Sequence, residues 1–382
     1  MGNLLIKNCR LYNSLIENDF TDILIRDKTI VKIEKDIESE AEVINANGRI
    51  TAPGFIDVHI QGAGGADILD GSVESLEKMS RTLAALGTTA YLGTTVVKPQ
   101  EDNKHLKVAR EYVDKDMGGA VLLGFHLEGP FINVKKKGGL DPASIYDSSA
   151  EKLEEIFQAT GHKLKMMTIA PELPGNLDII KTLVRNNVIA SFAHSDATYE
   201  EAKKGFEAGI NHVTHLFNAM PPINHRVPGP LAAIFEDDEI TAQVISDGHH
   251  LHPAIVNMIY NIIGAERSIC ITDGMHGMGL PEGNYLYNGR EYESKGGAAK
   301  YLDGTLIGST TSLGNIALKY MEYTGCSLED AINTVSKNPA VLLGISDRKG
   351  TIETGKDADI VLFDGDNSIY TTIINGKIVY RK

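Results

Sequence analysis

Apolar residues near the start of the chain come in short runs, over 4–7, 22–25, 29–33 and 42–44, separated by turn-formers and charges. That spacing predicts a small sheet, not helices. From residue 54 the pattern changes. Eight apolar runs, over 54–60, 88–93, 120–127, 164–169, 187–193, 212–215, 242–245 and 268–272, are interleaved with amphipathic stretches over 73–86, 104–116, 177–186, 199–208 and 254–263. Strand–helix alternation predicts a parallel sheet, and eight units over this length fit a closed (β/α)8 barrel of the TIM type. An open doubly wound sheet is the alternative, but no Gly-x-Gly-x-x-Gly follows the first run to favour it. A Gly-rich excursion over about 274–308 comes next, then helices over 313–323 and 328–335. The tail returns to strands over 360–363, 371–374 and 377–380, the last two joined by Asn375-Gly376, a hairpin signal. The expected fold class is therefore α/β: a (β/α)8 barrel over 53–345, with a small β-sandwich domain built from both chain ends, 1–52 and 346–382.

Composition narrows the function. The chain has 382 residues, 42% of them hydrophobic, enough for a large core, and a net charge of −14. Such a surface repels polyanions, so no nucleic-acid partner is expected, and a phosphorylated small molecule needs a local cationic pocket. The basic run Lys135-Lys136-Lys137 reads as a solvated loop. Three separated cysteines, Cys9, Cys270 and Cys326, with no Cys-x-x-Cys pair, fit a reducing cytosol. No signal peptide is evident, and no apolar run reaches the ~18 residues needed to span a bilayer. A cytoplasmic protein without a membrane partner is expected.

Polar residues with chemical potential cluster at the ends of the predicted strands. His59 ends strand one, Glu128 strand three, His194 strand five, His215 strand six and Asp273 strand eight. A barrel brings the carboxyl ends of all its strands to one mouth, so these residues meet there. Two imidazoles and one carboxylate hold a divalent ion and leave a position open for water. A free carboxylate nearby can take a proton from that water and give it to a leaving amine. Taken alone, a strand-end histidine is more often a hydrogen-bonded structural residue, and Asp273 could cap a helix. Their joint occurrence favours a metal site. Imidazole and carboxylate suit Zn, Fe, Mn and Co alike. Of the other histidines, His105 and His162 are expected on the surface and His212 in a structural role, while among His249, His250 and His252, after strand seven, at least one is expected to meet substrate. Arg226, after strand six, is suited to a phosphate.

These residues sit in segments that resemble the N-acetylglucosamine-6-phosphate deacetylases of the amidohydrolase superfamily, over nearly the whole chain. The segments are Pro53-Gly54-Phe55-Ile56-Asp57-Val58-His59, His126-Leu127-Glu128-Gly129-Pro130-Phe131, Ala193-His194-Ser195-Asp196-Ala197-Thr198-Tyr199, Thr214-His215-Leu216-Phe217-Asn218-Ala219-Met220-Pro221, Ser246-Asp247-Gly248-His249-His250 and Thr272-Asp273-Gly274. Gly355-Lys356-Asp357-Ala358-Asp359-Ile360-Val361 marks only the superfamily. The resemblance implies a metal on Glu128, His194 and His215, with Asp273 as general acid/base. It implies that Asn218, the backbone at Ala219, Arg226 and His250 bind an amino-sugar phosphate. It also implies a homodimer, in which the arginine can come from the neighbouring subunit. Two departures stand out. Many relatives carry His-x-His at the end of strand one and hold a second metal there. This chain has His59 and Gln61, so one divalent ion per subunit is expected, with His59 at most part of a weak second site. Relatives also place a histidine where this chain has Leu140. That keeps two alternatives in view: a deacetylase of a different N-acetyl sugar phosphate, and a catalytically impaired scaffold.

Overall fold

The structure, a computed structural model, describes residues 2–15, 19–98, 102–287 and 289–382. Eight parallel strands pair in sequence order: Phe55–Ile60, Thr88–Thr95, Val121–Glu128, Leu164–Ile169, Ile189–Phe192, His212–Val213, Thr241–Val244 and Ser268–Cys270. They are the eight apolar runs, with ends shifted by a few residues. The first and last meet: Ile60 bridges Gly274, the Asp273 amide donates to the His59 carbonyl at 3.0 Å, and the Gln61 amide to the Gly274 carbonyl at 2.9 Å. Asp57 staples this seam by accepting from the Thr272 hydroxyl at 2.6 Å and the His59 amide at 3.2 Å. Complete burial pushes its carboxyl up to about 6. Closure removes the sheet edges and gathers the strand ends at one mouth.

Helices cover the outside. Val73–Ala85 starts at Ser72, whose hydroxyl accepts from the Ser75 amide, and buries Leu76, Met79, Leu83 and Ala84. That three-to-four-residue spacing is the apolar stripe of an amphipathic helix. The predicted helix over 104–116 is shorter, Lys104–Ala109 followed by a 3-10 turn at Arg110–Tyr112. It buries His105, whose Nε2 lies 3.0 Å from the Val96 carbonyl, so the surface assignment of this histidine is corrected. His162 is exposed, as expected. The helices Ala150–Ala159, Gly229–Glu236 and Lys337–Leu342 were not anticipated. No helix among the described residues is long and apolar enough to cross a membrane.

The Gly-rich excursion holds a four-stranded antiparallel sheet: Gly283–Tyr287, Arg290–Lys295, Ala298–Tyr301 and Leu306–Ser309. Most of the glycines here lie in turns, though Gly283 and Gly308 stand within strands. Gly296 and Gly297, both at positive φ, make the tight hairpin between Lys295 and Ala298.

Both chain ends join in one further eight-stranded sheet. Its order is Lys377–Arg381, Ile369–Ile374, Ile360–Phe363, Ile50–Pro53, Asn3–Leu11, Thr21–Arg26 and Thr29–Glu34, with Glu42–Asn45 also against Asn3–Leu11. Residues from both ends, among them Ile6, Ile23, Ile44, Ile360 and Ile373, share one core. A buried cation braces the C-terminal part of this domain where it meets the barrel. Lys349 pairs with Asp359 at 2.5 Å and Asp357 at 3.2 Å. Asp359 also accepts the Asn375 amide at 2.8 Å, and its carbonyl accepts the Gly54 amide at 2.8 Å, just before the first barrel strand. Removing one partner of a buried ion pair leaves an uncompensated charge, at about 3–5 kcal/mol. Lys349→Met is therefore expected to lower the urea midpoint by that much stability with an unchanged slope. An unmoved midpoint would assign the cluster no net stabilising role.

Candidate active site

Three side chains converge at the mouth. The Glu128 Oε1 lies 2.8 Å from Nε2 of His194 and 3.0 Å from Nε2 of His215, and the two nitrogens are 3.1 Å apart. All are nearly sealed, with exposures of 7%, 4% and 4%. His194 and His215 each stand two residues past a strand end. There the backbone turns left-handed, with φ of 48° at His194, 31° at His215, 74° at Phe217, 55° at Ala219 and 49° at Asp273. Each such non-glycine residue costs of order 1–3 kcal/mol and persists only where its surroundings enforce it.

The enforcing contacts are visible. The Nδ1 of His194 faces the Lys136 carbonyl at 2.6 Å. A carbonyl only accepts, so Nδ1 carries the proton and Nε2 keeps its lone pair. The basic run thus holds the site through its backbone, while the Lys135 and Lys136 ammonium groups each lie 3.5 Å from Asp196. The His215 carbonyl accepts from the Asn218 amide at 2.9 Å and its Nδ2 at 3.3 Å, and the His215 amide donates to Gln243 at 3.3 Å. Glu172 gathers three loops. Its Oε1 accepts from Asn133 Nδ2 at 2.9 Å and the Asp196 amide at 2.7 Å, and its Oε2 from the Ser195 hydroxyl at 2.7 Å. The Asn133 amide donates to the His194 carbonyl at 2.8 Å, completing the bracket around that histidine.

Two imidazole nitrogens and a carboxylate oxygen held this close in a buried site suit a divalent cation. Among the described residues, Glu128, His194 and His215 form the His/Cys/Asp/Glu group able to hold one. Burial alone would push the Glu128 carboxyl up, but His194 and His215 outweigh it and hold the group well below the usual carboxylate range. Burial pushes His215 down.

Asp273 stands beside this cluster. Its Oδ1 lies 3.3 Å from His59 Nε2 and accepts from Gln61 Nε2 at 3.1 Å, and its Oδ2 lies 3.4 Å from His250 Nε2. Burial works against its charge, but His59 and His250 pull the carboxyl down to about 2. It is a carboxylate at neutral pH, as a base must be. His250 is held in turn by Asp247, Nδ1 to Oδ2 at 2.7 Å. Burial lowers His250, while Asp247 and Asp273 raise it to about 9. Asp247 also accepts the amides of His249 and His250, both at 2.8 Å. His59 is fully buried, with Nδ1 3.0 Å from Gln243 and Nε2 facing the site, between Asp273 and Glu128 at 3.3 and 3.9 Å. Gln61 places an amide donor, not a ring nitrogen, against Asp273.

Glu128, His194, His215, Asn218, Ala219, His250 and Asp273 all line one pocket, as does Leu140. Arg226 does not; it lies in an exposed loop. His249 bonds to the Gly296 carbonyl at 2.9 Å and His252 caps the helix Pro253–Ile263, so His250 alone of the three reaches the pocket. His212 is buried, 2.7 Å from the Thr241 hydroxyl. Sequence reading missed Glu172, Asp247 and Gln243. Glu172 had a signal, a carboxylate three residues past the end of strand four, in Ile169-Ala170-Pro171-Glu172.

Residues 50–379 match the model of the Amidohydrolase family. The chain is similar to N-acetylglucosamine-6-phosphate deacetylase of Bacillus subtilis, at 36% identity over 99% of this chain and 97% of that one. It is similar to N-acetylgalactosamine-6-phosphate deacetylase of Escherichia coli O157:H7, at 31% identity over 94% and 95%. Among solved structures, a mutant N-acetyl-D-glucosamine-6-phosphate deacetylase of Mycobacterium smegmatis, in complex with N-acetyl-D-glucosamine-6-phosphate, superposes with a TM-score of 0.90 at 27% identity, covering 99% of this chain and all 100% of that one.

Contacts that orient ligands are typically worth 10–100-fold in metal affinity. Glu172→Ala is expected to speed loss of a bound divalent ion to a chelator by roughly that factor. Wild-type retention would reduce Glu172 to a loop brace without influence on His194.

Proposed function

Because the chain belongs to the amidohydrolase family, and within it to the branch of the N-acetylglucosamine-6-phosphate deacetylases, we propose that it hydrolyses the acetamide of N-acetyl-D-glucosamine 6-phosphate, releasing acetate and D-glucosamine 6-phosphate in amino-sugar catabolism. The observation that carries this reading is the buried Glu128–His194–His215 cluster facing the Asp273 carboxylate across one pocket. In this reading Glu128, His194 and His215 hold one divalent cation, Zn or Fe, Mn or Co. When bound, such an ion polarises an amide carbonyl and acidifies water. Asp273, ionised and anchored by Gln61, takes a proton from the attacking water and delivers it to the leaving amine. His250, fixed by Asp247, orients Asp273 and binds the sugar. Asn218 and the Ala219 amide complete the sugar site.

Phosphate recognition falls to Arg226. In support of a homodimer, this exposed arginine is flanked by exposed apolar residues, Ile223 at 47% and Val227 at 68%. A second copy covering that loop would carry its Arg226 to the neighbouring pocket. The barrel over 53–345 acts as the catalytic domain, with 1–52 and 346–382 as its companion. The cytoplasm is the working compartment, in keeping with three buried free cysteines.

The test is acetate release from the 6-phosphates of N-acetylglucosamine and N-acetylgalactosamine and from the unphosphorylated sugars. Release fastest from N-acetylglucosamine 6-phosphate supports the reading. Preference for the galactose epimer moves the substrate to that of the Escherichia coli relative, and no release from any overturns deacetylation.

Asp273→Asn is expected to keep the metal and substrate affinity while kcat falls at least ~10²; near-normal turnover would remove the proton shuttle. Elemental analysis is expected to find about one ion per chain, rising towards about two in Gln61→His, which restores a ring nitrogen beside His59. Two tightly held ions in the wild type would refute this. Arg226→Ala should raise KM for the phosphorylated sugar selectively, by about 2–3 kcal/mol of lost charge-assisted contact. Mixing Arg226→Ala with Asp273→Asn subunits should restore activity, since one site of each mixed dimer then has both residues. No restoration would place the arginine's role within its own chain or nowhere.

A further inference from the structure

The metal cluster and the base leave the inserted sheet without a task. Its last strand is welded to the segment that carries Asp273: the Met275 amide donates to the Ser309 carbonyl at 2.9 Å, and the Ser309 amide to the Asp273 carbonyl at 2.8 Å. This brings Leu306, Ile307 and Gly308 into the pocket wall. In its first strand, Asn284 and Leu286 are exposed while Tyr285 and Tyr287 are partly buried, the two-residue period of a strand with one face covered. Tyr287 lines the pocket. Its ring stacks on His276, with centroids 6.1 Å apart and planes at 24°, and packs with Met275 and Tyr292.

Most donors of the other pocket side chains are committed. The Gln61 amide serves Asp273, His194 Nδ1 serves the Lys136 carbonyl, His250 bridges Asp247 and Asp273, and Asn218 Nδ2 serves the carbonyls of His215 and Leu216, while His215 Nδ1 lacks a partner among the described residues but is sealed in the interior. The Thr95 hydroxyl lacks a partner among the described residues but is sealed at the end of the second strand. Tyr287 stands among Leu140, Met275, Leu306 and Ile307, an apolar stretch in which it alone carries a side-chain proton to donate. Its hydroxyl bonds to none of the described residues; burial, with Asp67, Glu128 and Asp273 nearby, pushes it well above the ordinary phenol range. It therefore remains a donor beside two carboxylates. Tyrosine hydroxyls in such places find a partner, and a bound molecule entering the pocket is placed to supply it. On an N-acetyl amino-sugar phosphate the amide, ring and phosphate oxygens only accept, and of these the amide oxygen is the one that hydrolysis brings to Glu128 and Asp273, the carboxylates that share the pocket with Tyr287 and cannot donate to it.

We propose that Tyr287 contacts the substrate, its hydroxyl donating a hydrogen bond to the acetamide oxygen and to the negative charge that builds there as water attacks. The proton stays on the phenol throughout. The inference rests on the deacetylase reading and adds a donor to it. Tyr287→Phe deletes that oxygen alone. Removing one oxyanion donor lowers kcat by about 10²–10³, and the expected result is a loss of about that size with KM, metal content and thermal midpoint unchanged. Leu140→His in the Tyr287→Phe background is expected to recover part of kcat, since it returns a donor to the same wall. A raised KM at unchanged kcat makes the hydroxyl a ground-state sugar contact and overturns the proposal. So do unaltered constants, and so does a lowered thermal midpoint, which would reveal a protein partner. A wild type that releases no acetate overturns the deacetylase reading and this inference with it; an active wild type matched by Tyr287→Phe overturns the inference alone.

Discussion

Two imidazole nitrogens 3.1 Å apart, both within 3.0 Å of one carboxylate oxygen, form the contact to which the rest of the molecule answers. In water such a cluster would drift apart, because lone pairs facing lone pairs gain nothing from proximity. Here it is buried, where unmet electrostatic demand is expensive. A cation meets the demand. Holding the donors ready before it arrives requires the protein to stabilise an arrangement it would not otherwise adopt.

That stabilisation is distributed. Left-handed backbone at His194 and His215 aims the rings inward, and the Lys136 carbonyl, Asn218 and Gln243 hold the turned segments. Glu172 binds the loops after strands three, four and five into one bracket. The same logic extends to the scaffold. Asp57 closes the barrel seam beside Asp273, and Asp359, paired with Lys349, ties the C-terminal segment to the entrance of strand one through its carbonyl. A mouth assembled from eight strand ends keeps sub-ångström order only if the cylinder cannot open.

The two sides of the pocket differ in kind. One side is charged: cluster, base and the Asp247–His250 pair. The other is apolar and comes mainly from the inserted sheet, interrupted by one phenol. Gln61 marks the border. Its amide donates to Asp273 where a second ring nitrogen would have drawn a second ion. The carboxylate is thereby oriented by hydrogen bonds and free to move protons. An acetamide fits this division, since its reacting carbon must meet water and base while its methyl group prefers to leave water.

The sequence by itself pointed to the barrel, because strand and helix impose different periods on apolar residues, eight such alternations fit a closed barrel, and no Gly-rich turn favoured an open sheet. It determined the residue set as well: Glu128, His194, His215 and Asp273 all follow predicted strands, and strand direction alone sends them to one mouth. The hairpin at Asn375-Gly376 and the union of the chain ends were legible for the same local reasons. The inserted sheet was not, because turn glycines dominated its composition and hid the alternation between them. The place of Glu172 just past strand four was legible, but its role as a support, like those of Gln243 and the Lys136 carbonyl, was not, since a hydrogen bond between segments distant in sequence leaves no periodic trace. The burial of His105 escaped notice because packing between neighbouring helices decides it. Arg226 read as a phosphate ligand that a neighbouring subunit can supply, and the fold of one chain leaves it at the surface. Local pattern fixes which way a segment points; what stands at the other end of that direction is decided only when the whole chain has closed around it.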